Sequence, residues 1–271
     1  MLKVSVIIPT TEKTKDYLEV CVNSLRETTN WDIIVVSNGS NNSYPLDNSK
    51  FRRVHTKDQG QCNAVNIGAQ LVHPSTDYIF VSNDDMYYAP GWLKNTDYSN
   101  WPSVWSPNLV EPTNNAGSAH PFLKLDGGLI LDEFNKDVID KLVLAHEDNS
   151  VTTGFNFPFF IRKEVWNTVG GYDTKYDPWG SNSDTDLQTK IELAGIQPIR
   201  YRNSLVYHFG SKSGTFDPER QVFWQKNWDY YTAKWGFNRD MDPKPDTWMA
   251  TNMVNIGLNR YHPEWEGKYK D

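Results

Sequence analysis

Two hydrophobic periods alternate through the first 85 residues, and nothing else in the chain restricts its fold so strongly. Lys3–Pro9 is a Val/Ile run of the kind that forms a buried strand. Leu18, Cys21, Val22 and Leu25 then recur at helical spacing, which predicts a helix over Thr14–Thr28 with one buried face. A second strand follows at Asp32–Ser37, turn chemistry at Asn38–Ser43, and a second helix marked by Cys62, Val65, Ala69 and Val72. Asp77–Ser82 is a third strand. This order predicts an α/β domain whose central sheet is mostly parallel, flanked by helices and joined by right-handed crossovers. Ligands of such sheets gather beyond the carboxyl ends of the strands. Thr10, Asn38 and Asn83-Asp84-Asp85 fall at those ends.

The later pattern is less regular. Val104–Pro112 and Phe157–Ile161 read as strands, Lys136–His146 and Glu164–Val169 as helices, and Gly170-Gly171-Tyr172-Asp173 as a turn. Leu187, Ile191 and Ala194 stripe a helix that Gly195 ends, and Ile199–His208 is strand-like. Asp217-Pro218-Glu219 opens a helix that runs to about Lys234, with a cap, a first-turn proline and an acid at the dipole's positive end.

With 34 acidic and 27 basic residues the formal charge is −7, which disfavours nucleic acid as a partner. A phosphate-bearing ligand must then be held by local groups or by a metal. Two cysteines, Cys21 and Cys62, make neither a disulfide framework nor a zinc site, so a reducing, cytoplasmic compartment is expected. No apolar run reaches the ~18 residues of a membrane span, and Val4–Pro9 is too short for a signal-peptide core. The 11 Trp, 14 Tyr and 12 Phe are in excess. They either pack a core or offer flat faces to sugar rings and bases.

Asp84 and Asp85 set two carboxylates side by side at a strand end, which costs free energy unless a cation or rich donors meet them. A divalent ion bridging to a diphosphate would do so. The pair also has a local use, with Asp84 capping the turn over Asp85–Trp92. Ser183-Asp184-Thr185-Asp186 opens the Leu187 helix. Ser183 is placed as N-cap and Asp186 as the acid that reaches back to it, which gives Asp184 the poorer structural explanation; the helix dipole favours its ionised form, ready to accept a proton from a bound hydroxyl. His208 ends its strand ahead of Phe209-Gly210-Ser211-Lys212-Ser213-Gly214, a loop able to hold phosphate through backbone N–H, hydroxyl and ammonium groups. An imidazole beside carboxylates suits Mn²⁺ as well as Mg²⁺. Arg52, Arg53 and Lys57 add positive field or are solvated surface charges.

In combination these pieces resemble the GT-A glycosyltransferases, in particular family 2 of inverting enzymes, over most of residues 3–236. VSVIIPT is similar to the opening strand, VVSNGS to the second-strand turn, QCNAVNIGAQ to the following helix, and SNDDMYYAPGW to the acidic metal motif. VGGYD with SDTDLQTKIELAG is similar to the base-bearing segment, and VYHFGSKSG and KWG also match in order. The resemblance implies a GT-A, Rossmann-like nucleotide-binding fold over 1–236, with a nucleotide half at about 1–112 and an acceptor half at about 113–236. Residues 237–271 form a Pro/Trp-rich extension. It implies transfer of a sugar from a nucleotide-diphosphate donor, a UDP-sugar first, to a hydroxyl of a glycan acceptor, with inversion. Thr10, Asn38, Lys57, Asn83, Asp84 and Lys212 would meet the nucleotide. Asp84, Asp85 and His208 would hold Mn²⁺ or Mg²⁺, Asp184 would be the base, and Trp179, Gly180 and Asp186 would face the acceptor. Trp179, Trp92 and Trp224 are candidates to stack on sugar faces.

Ser37-Asn38 and Ser183 stand where the family usually has an acid, and Trp179-Gly180 also resembles the acceptor loop of GT-A families that retain configuration. Other readings are weaker. Thr10-Thr11-Glu12-Lys13 lacks the glycines of a nucleotidyltransferase or dinucleotide-binding loop. A non-catalytic sugar- or nucleotide-binding protein on the same fold is the alternative from another class.

Overall fold

The structure is a computed structural model and describes residues 2–39, 51–57, 60–94, 96–97, 99–113, 123–154, 157–210, 212 and 218–235. In chain order the elements are β1 (Val4–Thr10), α1 (Lys15–Thr28), β2 (Asp32–Asn38), β3 (Arg52–Thr56), α2 (Gln61–Gln70), β4 (Tyr78–Val81), β5 (Met86–Tyr87) and β6 (Val104–Glu111). There follow β7 (Leu123–Lys124), α3 (Lys136–Ala145), β8 (Val151–Thr153), β9 (Phe159–Arg162), α4 (Lys163–Val169), α5 (Ser183–Leu193), β10 (Ile199–His208) and α6 (Pro218–Trp235).

One sheet runs through both halves of the chain in the order β3-β2-β1-β4-β9-β6-β10-β5, with β7 beside β6 and β8 beside β10. The β3-β2-β1-β4 block is parallel, as are β6 with β10 and β6 with β7. The sheet is nevertheless mixed. β9 lies antiparallel between β4 and β6, and β5 and β8 are antiparallel to β10.

Alternation along the strands sends successive residues to opposite faces. Val4, Val6 and Ile8 meet Leu18, Cys21, Val22 and Leu25 of α1 on one face. Ile7, Ile34 and Val36 meet Cys62, Ala64 and Val65 of α2 on the other, with Leu187 and Ile191 of α5 and Trp235 of α6. Helix α2 comes so close to β1 that a Cβ on Gly68 would overlap Ile7.

Most of the aromatic excess is core. Phe160 stacks at 4.1 Å on both Phe80 and Trp105, and Trp92, Trp101, Trp105, Trp166 and Trp235 are buried. Trp92 therefore cannot stack on a sugar; its ring faces Phe80. Trp224 and Trp179 keep access to the surface. Both cysteines are buried free thiols. No helix among the described residues is long and apolar enough to cross a membrane.

Candidate active site

Because β2, β1 and β4 are parallel neighbours, Thr10, Asn38 and the Asn83-Asp84-Asp85 turn leave the sheet at one edge. Asp84 is not spent on the turn that follows it. Its carboxylate accepts from the Thr14 hydroxyl ahead of α1 and from Thr10 at the end of β1. Burial raises this carboxyl to about 7, with the neighbouring Asp85 charge adding and the two threonine bonds opposing. The Asn83 carbonyl accepts from the Ser82 hydroxyl (2.6 Å) and the Cys21 thiol (3.5 Å), which fixes the turn against α1.

Asp85 faces the other way, toward β10. Its Oδ1 lies 3.4 Å from His208 Nε2, while His208 Nδ1 lies 2.9 Å from Glu111 Oε1. Lys124 closes the row, 2.9 Å from Glu111 Oε2. Strand pairing explains the row: Tyr207 is registered with Val110, so His208 and Glu111 end adjacent parallel strands, and Glu111 is registered with Lys124. Burial acts to lower the imidazole, but Asp85 and Glu111 outweigh it and lift His208 to about 10. Burial likewise acts to raise Asp85, but the charge and hydrogen bond of His208 win and hold it below the ordinary carboxylate value. Asp85 is thus an anion that faces a cation.

Of the three expected metal ligands, Asp85 and His208 face each other and Asp84 faces Thr10 and Thr14. Among the described residues no group of three His, Cys, Asp or Glu side chains is arranged to hold an ion, because Asp84 is turned onto the two threonines. Asp85 and His208 fit one once Nε2 gives its proton up to become a ligand. Glu111 engages Nδ1 and leaves Nε2 on the Asp85 side, the carboxylate-backed arrangement that orients metal-binding histidines. Oxygen and imidazole donors suit Mn²⁺ or Mg²⁺.

Of the remaining nucleotide-side candidates, Lys212 lies with its ammonium 5.6 Å over the Tyr17 ring, and its backbone amide donates to Asp85. Lys57 is exposed beyond β3. Asn38 acts through its side chain, whose Oδ1 accepts from the Gly60 N–H at 2.7 Å. Ser211 and 213–217 lie outside the described residues.

On the acceptor side, α5 starts one residue earlier than its sequence implies. Asn182 is the cap residue with φ 64°, and Ser183 is the first helical residue, its hydroxyl donating to the Gly180 carbonyl at 2.6 Å. Asp184 is half-buried and accepts from the Tyr172 hydroxyl at 2.7 Å. Burial raises its carboxyl to about 6 against the opposing Tyr172 bond.

Asp186 departs from expectation on both counts. It does not reach back to the cap and does not face an acceptor: its side chain is fully buried. Its Oδ1 accepts from Trp235 Nε1 (2.9 Å) and lies 2.8 Å from Lys234 Nζ, with Tyr176 and Lys190 completing the ring around it. Tertiary charge pairing between α5 and α6 has overridden the local spacing.

Trp179 is flanked by two cations, Lys13 at 5.9 Å and Arg220 at 6.0 Å from its ring centroid. Lys13 sits beside Thr14, so the Trp179-Gly180 loop lies next to the turn that holds Asp84. Asp177 was not expected from sequence. Its two oxygens accept from the Cys62 and Asn63 amides, both at 2.9 Å, and so cap α2 from a distant loop. Gly60, at φ 152°, gives way to that carboxyl, which a Cβ would overlap. Glu111 and Tyr172 were also missed. A lone acid closing the apolar strand Val104–Glu111 was the one sequence signal available for Glu111.

A mixed α/β sheet with an acidic pair at its parallel edge and a partly exposed carboxylate at a nearby helix start defines a GT-A type of domain. Residues 5–96 match the family model described as Glycosyl transferase family 2. GalNAc-T7, solved with UDP, GalNAc and Mn²⁺, is similar in fold with a TM-score of 0.56 at 17% identity, covering 77% of this chain and 44% of that one. Staphylococcus aureus TarS 1-349 is similar with a TM-score of 0.52 at 13% identity, covering 89% of this chain and 74% of that one. This chain thus spans less than half the length of GalNAc-T7. None of the curated proteins matches it. The chain has the GT-A fold, and its first third is similar to the family 2 glycosyltransferases.

Proposed function

We propose that the protein transfers a sugar from a nucleoside-diphosphate donor, a UDP-sugar, to a hydroxyl of a glycan acceptor with inversion. The nucleotide half is about 1–112 and the acceptor half about 113–236. The observation that carries this reading is the pairing of a buried anion–cation row at one strand end with a carboxylate, Asp184, raised to about 6. Such a carboxylate is ionised at neutral pH yet basic enough to take a proton. Its Oδ1 is held by Tyr172, so Oδ2 is the acceptor of that proton.

Asp184 Oδ2 removes the proton from the acceptor hydroxyl as its oxygen bonds to the anomeric carbon. The bond from that carbon to the diphosphate breaks, and the nucleoside diphosphate leaves with the electron pair. Thr10, Asn38 and Asp84 hold the nucleotide, and Lys212 lies beside the departing phosphates. A divalent ion held by Asp85 and His208 would supply positive charge to that leaving group. Trp179 and Gly180 border the acceptor. The GT-A relative with UDP and Mn²⁺ supports the choice of nucleotide and metal, and the two buried free thiols support a reducing, cytoplasmic location.

The test is thermal stability against UDP, GDP, dTDP and CMP, with and without Mn²⁺. A ligand at 100 times its dissociation constant stabilises by ~2.7 kcal/mol. For a chain of this size that is about 5–10 °C. A UDP shift that requires Mn²⁺ and is lost in Asp85→Asn supports the reading. No shift with any nucleotide refutes it.

A further inference from the structure

Helix α6 carries an aromatic ladder that the transfer step does not use. Trp224 and Trp228 stack with centroids 6.3 Å apart and planes 7° apart, and Trp228 stacks on Tyr231 at 5.7 Å and 27°. Spacings of four and three residues put all three rings on one face of the helix. The ladder runs from solvent into the core: Trp224 is 44% exposed and Tyr231 is fully buried. The Tyr231 hydroxyl is 3.0 Å from Thr189 Oγ1, which anchors the ladder to α5.

One exposed apolar ring needs no explanation by itself. The position of this one does. Its carbonyl accepts from the Asn182 side-chain amide at 3.5 Å, two residues before Asp184. One turn earlier on the same helix face, Arg220 lies over Trp179, 6.0 Å from the ring centroid. Trp224 is therefore a flat ring braced by Trp228, on a helix whose backbone is tied to the start of α5 and whose preceding turn reaches the Trp179 ring through Arg220. Its neighbours one turn earlier on the helix, Arg220 and Gln221, are polar, and Asn227 is buried against the Tyr176 and Ser181 carbonyls; the exposed Val222 lies two residues away, off the ladder's face.

We propose that Trp224, braced by Trp228, is a second sugar-binding platform, and that the acceptor extends at least one ring beyond the residue that receives the new sugar. The chemistry is that of a pyranose: an apolar C–H face for the indole and hydroxyls at its edge for polar neighbours. That the sugar belongs to an acceptor rests on the transferase reading. The presence of the platform does not, and the test separates the two.

The full chain is titrated by saturation-transfer NMR with glucose, N-acetylglucosamine and xylose and with their β1,4-linked di- to tetrasaccharides, without nucleotide. In one series affinity should rise about tenfold from monosaccharide to trisaccharide, the scale of one aromatic stack. Trp224→Ala should abolish that gain and Trp224→Phe should keep most of it. The melting temperature and the UDP/Mn²⁺ shift should be the same in all three proteins. If Trp224→Ala unfolds, the comparison rests on Trp224→Phe and on Trp224→Gln. Equal binding by wild type and Trp224→Ala or Trp224→Gln, no gain with length, or no saccharide bound by wild type overturns the platform. So does a wild-type dimer that Trp224→Ala dissolves, which would assign the ring to a second copy. Length-dependent binding through Trp224 without any nucleotide shift refutes the transferase reading and leaves the platform standing.

Discussion

Replacing Asp184 with Asn should remove activity and raise stability. The carboxyl is held at about 6 against an ordinary value of 3.8, chiefly by burial. At ~1.36 kcal/mol per unit, the full shift corresponds to an upper bound of about 3 kcal/mol. Asp184 keeps partial access to water, which screens the charge, so about 1–2 kcal/mol is the working figure. The sign follows from linkage. Between 3.8 and about 6 the folded state binds more protons than the unfolded one, so this group destabilises the fold progressively as pH rises through that window and constantly above it. Asn is never charged and its Oδ1 still accepts from Tyr172. At pH 8 the Asp184→Asn protein should therefore melt about 2–8 °C higher than wild type. Near pH 4 the difference should vanish. Loss of a general base should lower turnover by about 10²–10⁴ with UDP affinity unchanged. In wild type, kcat/KM should climb tenfold per pH unit below about 6 and level off above it. Calorimetry at both pH values and a UDP-release assay check these outcomes. A variant that melts lower at pH 8, or that keeps a tenth or more of wild-type turnover, refutes the reasoning.

Asp186→Ala, two residues on, should act with the opposite sign. It removes the carboxylate that Lys190 and Lys234 share and leaves Lys234 to Asp173 and Lys190 to the Gly171 carbonyl, at a cost of about 1–3 kcal/mol, which circular dichroism should register as a lower melting temperature. Glu111→Gln weakens the group that orients His208, so the Mn²⁺ concentration for half-maximal UDP stabilisation should rise about 10–100-fold. Gly60→Ala should displace the Asp177 carboxyl from the α2 amides and cost about 1–3 kcal/mol in a urea titration. Because Asp177→Ala removes the same cap, the double variant should lose less than the sum of the two.

Legibility followed the strength of the local signal. β1 and β2 fall within a residue of their sequence limits because their Val/Ile runs leave little other option, and β10 matches its limits as well. The sequence offers Arg52 and Arg53 as positive field or solvated charge but no strand there: β3, Arg52–Thr56, is a partly exposed edge strand and lacks an apolar pattern. The antiparallel insertion of β9 was not legible at all, since Phe159–Arg162 is apolar in either direction and its partners on β4 and β6 are distant in sequence. The site divides in the same way. Asp84, Asp85, Asp184 and His208 end or begin elements, where a polar residue stands out. Glu111, Tyr172 and Asp177 act across the fold, on His208, on Asp184 and on the α2 amides, so no spacing along the chain could reveal them. Asp186 shows the converse: its spacing from Ser183 suits a cap, yet α6 supplies Lys234 and Trp235 and claims it for the core.

The fold treats two buried carboxylates on its ligand-bearing edge in opposite ways. Asp85 and Asp184 both lose solvent, which alone would raise both. Asp85 is met by the His208 imidazole that Glu111 supports from behind, which holds its carboxyl below the ordinary carboxylate value and suits it to positive charge. Asp184 is met only by a neutral phenol, which orients the carboxylate without compensating its charge, so its proton affinity stays high. A carboxylate held below its ordinary value and one raised above it are the two kinds of group that a displacement at an anomeric carbon can use. The division arises from which strand or loop ends opposite each acid, β10 for one and the Tyr172 turn for the other. Exchanging the partners would exchange the roles, and that is the sense in which the sheet order, more than the acids themselves, sets the chemistry.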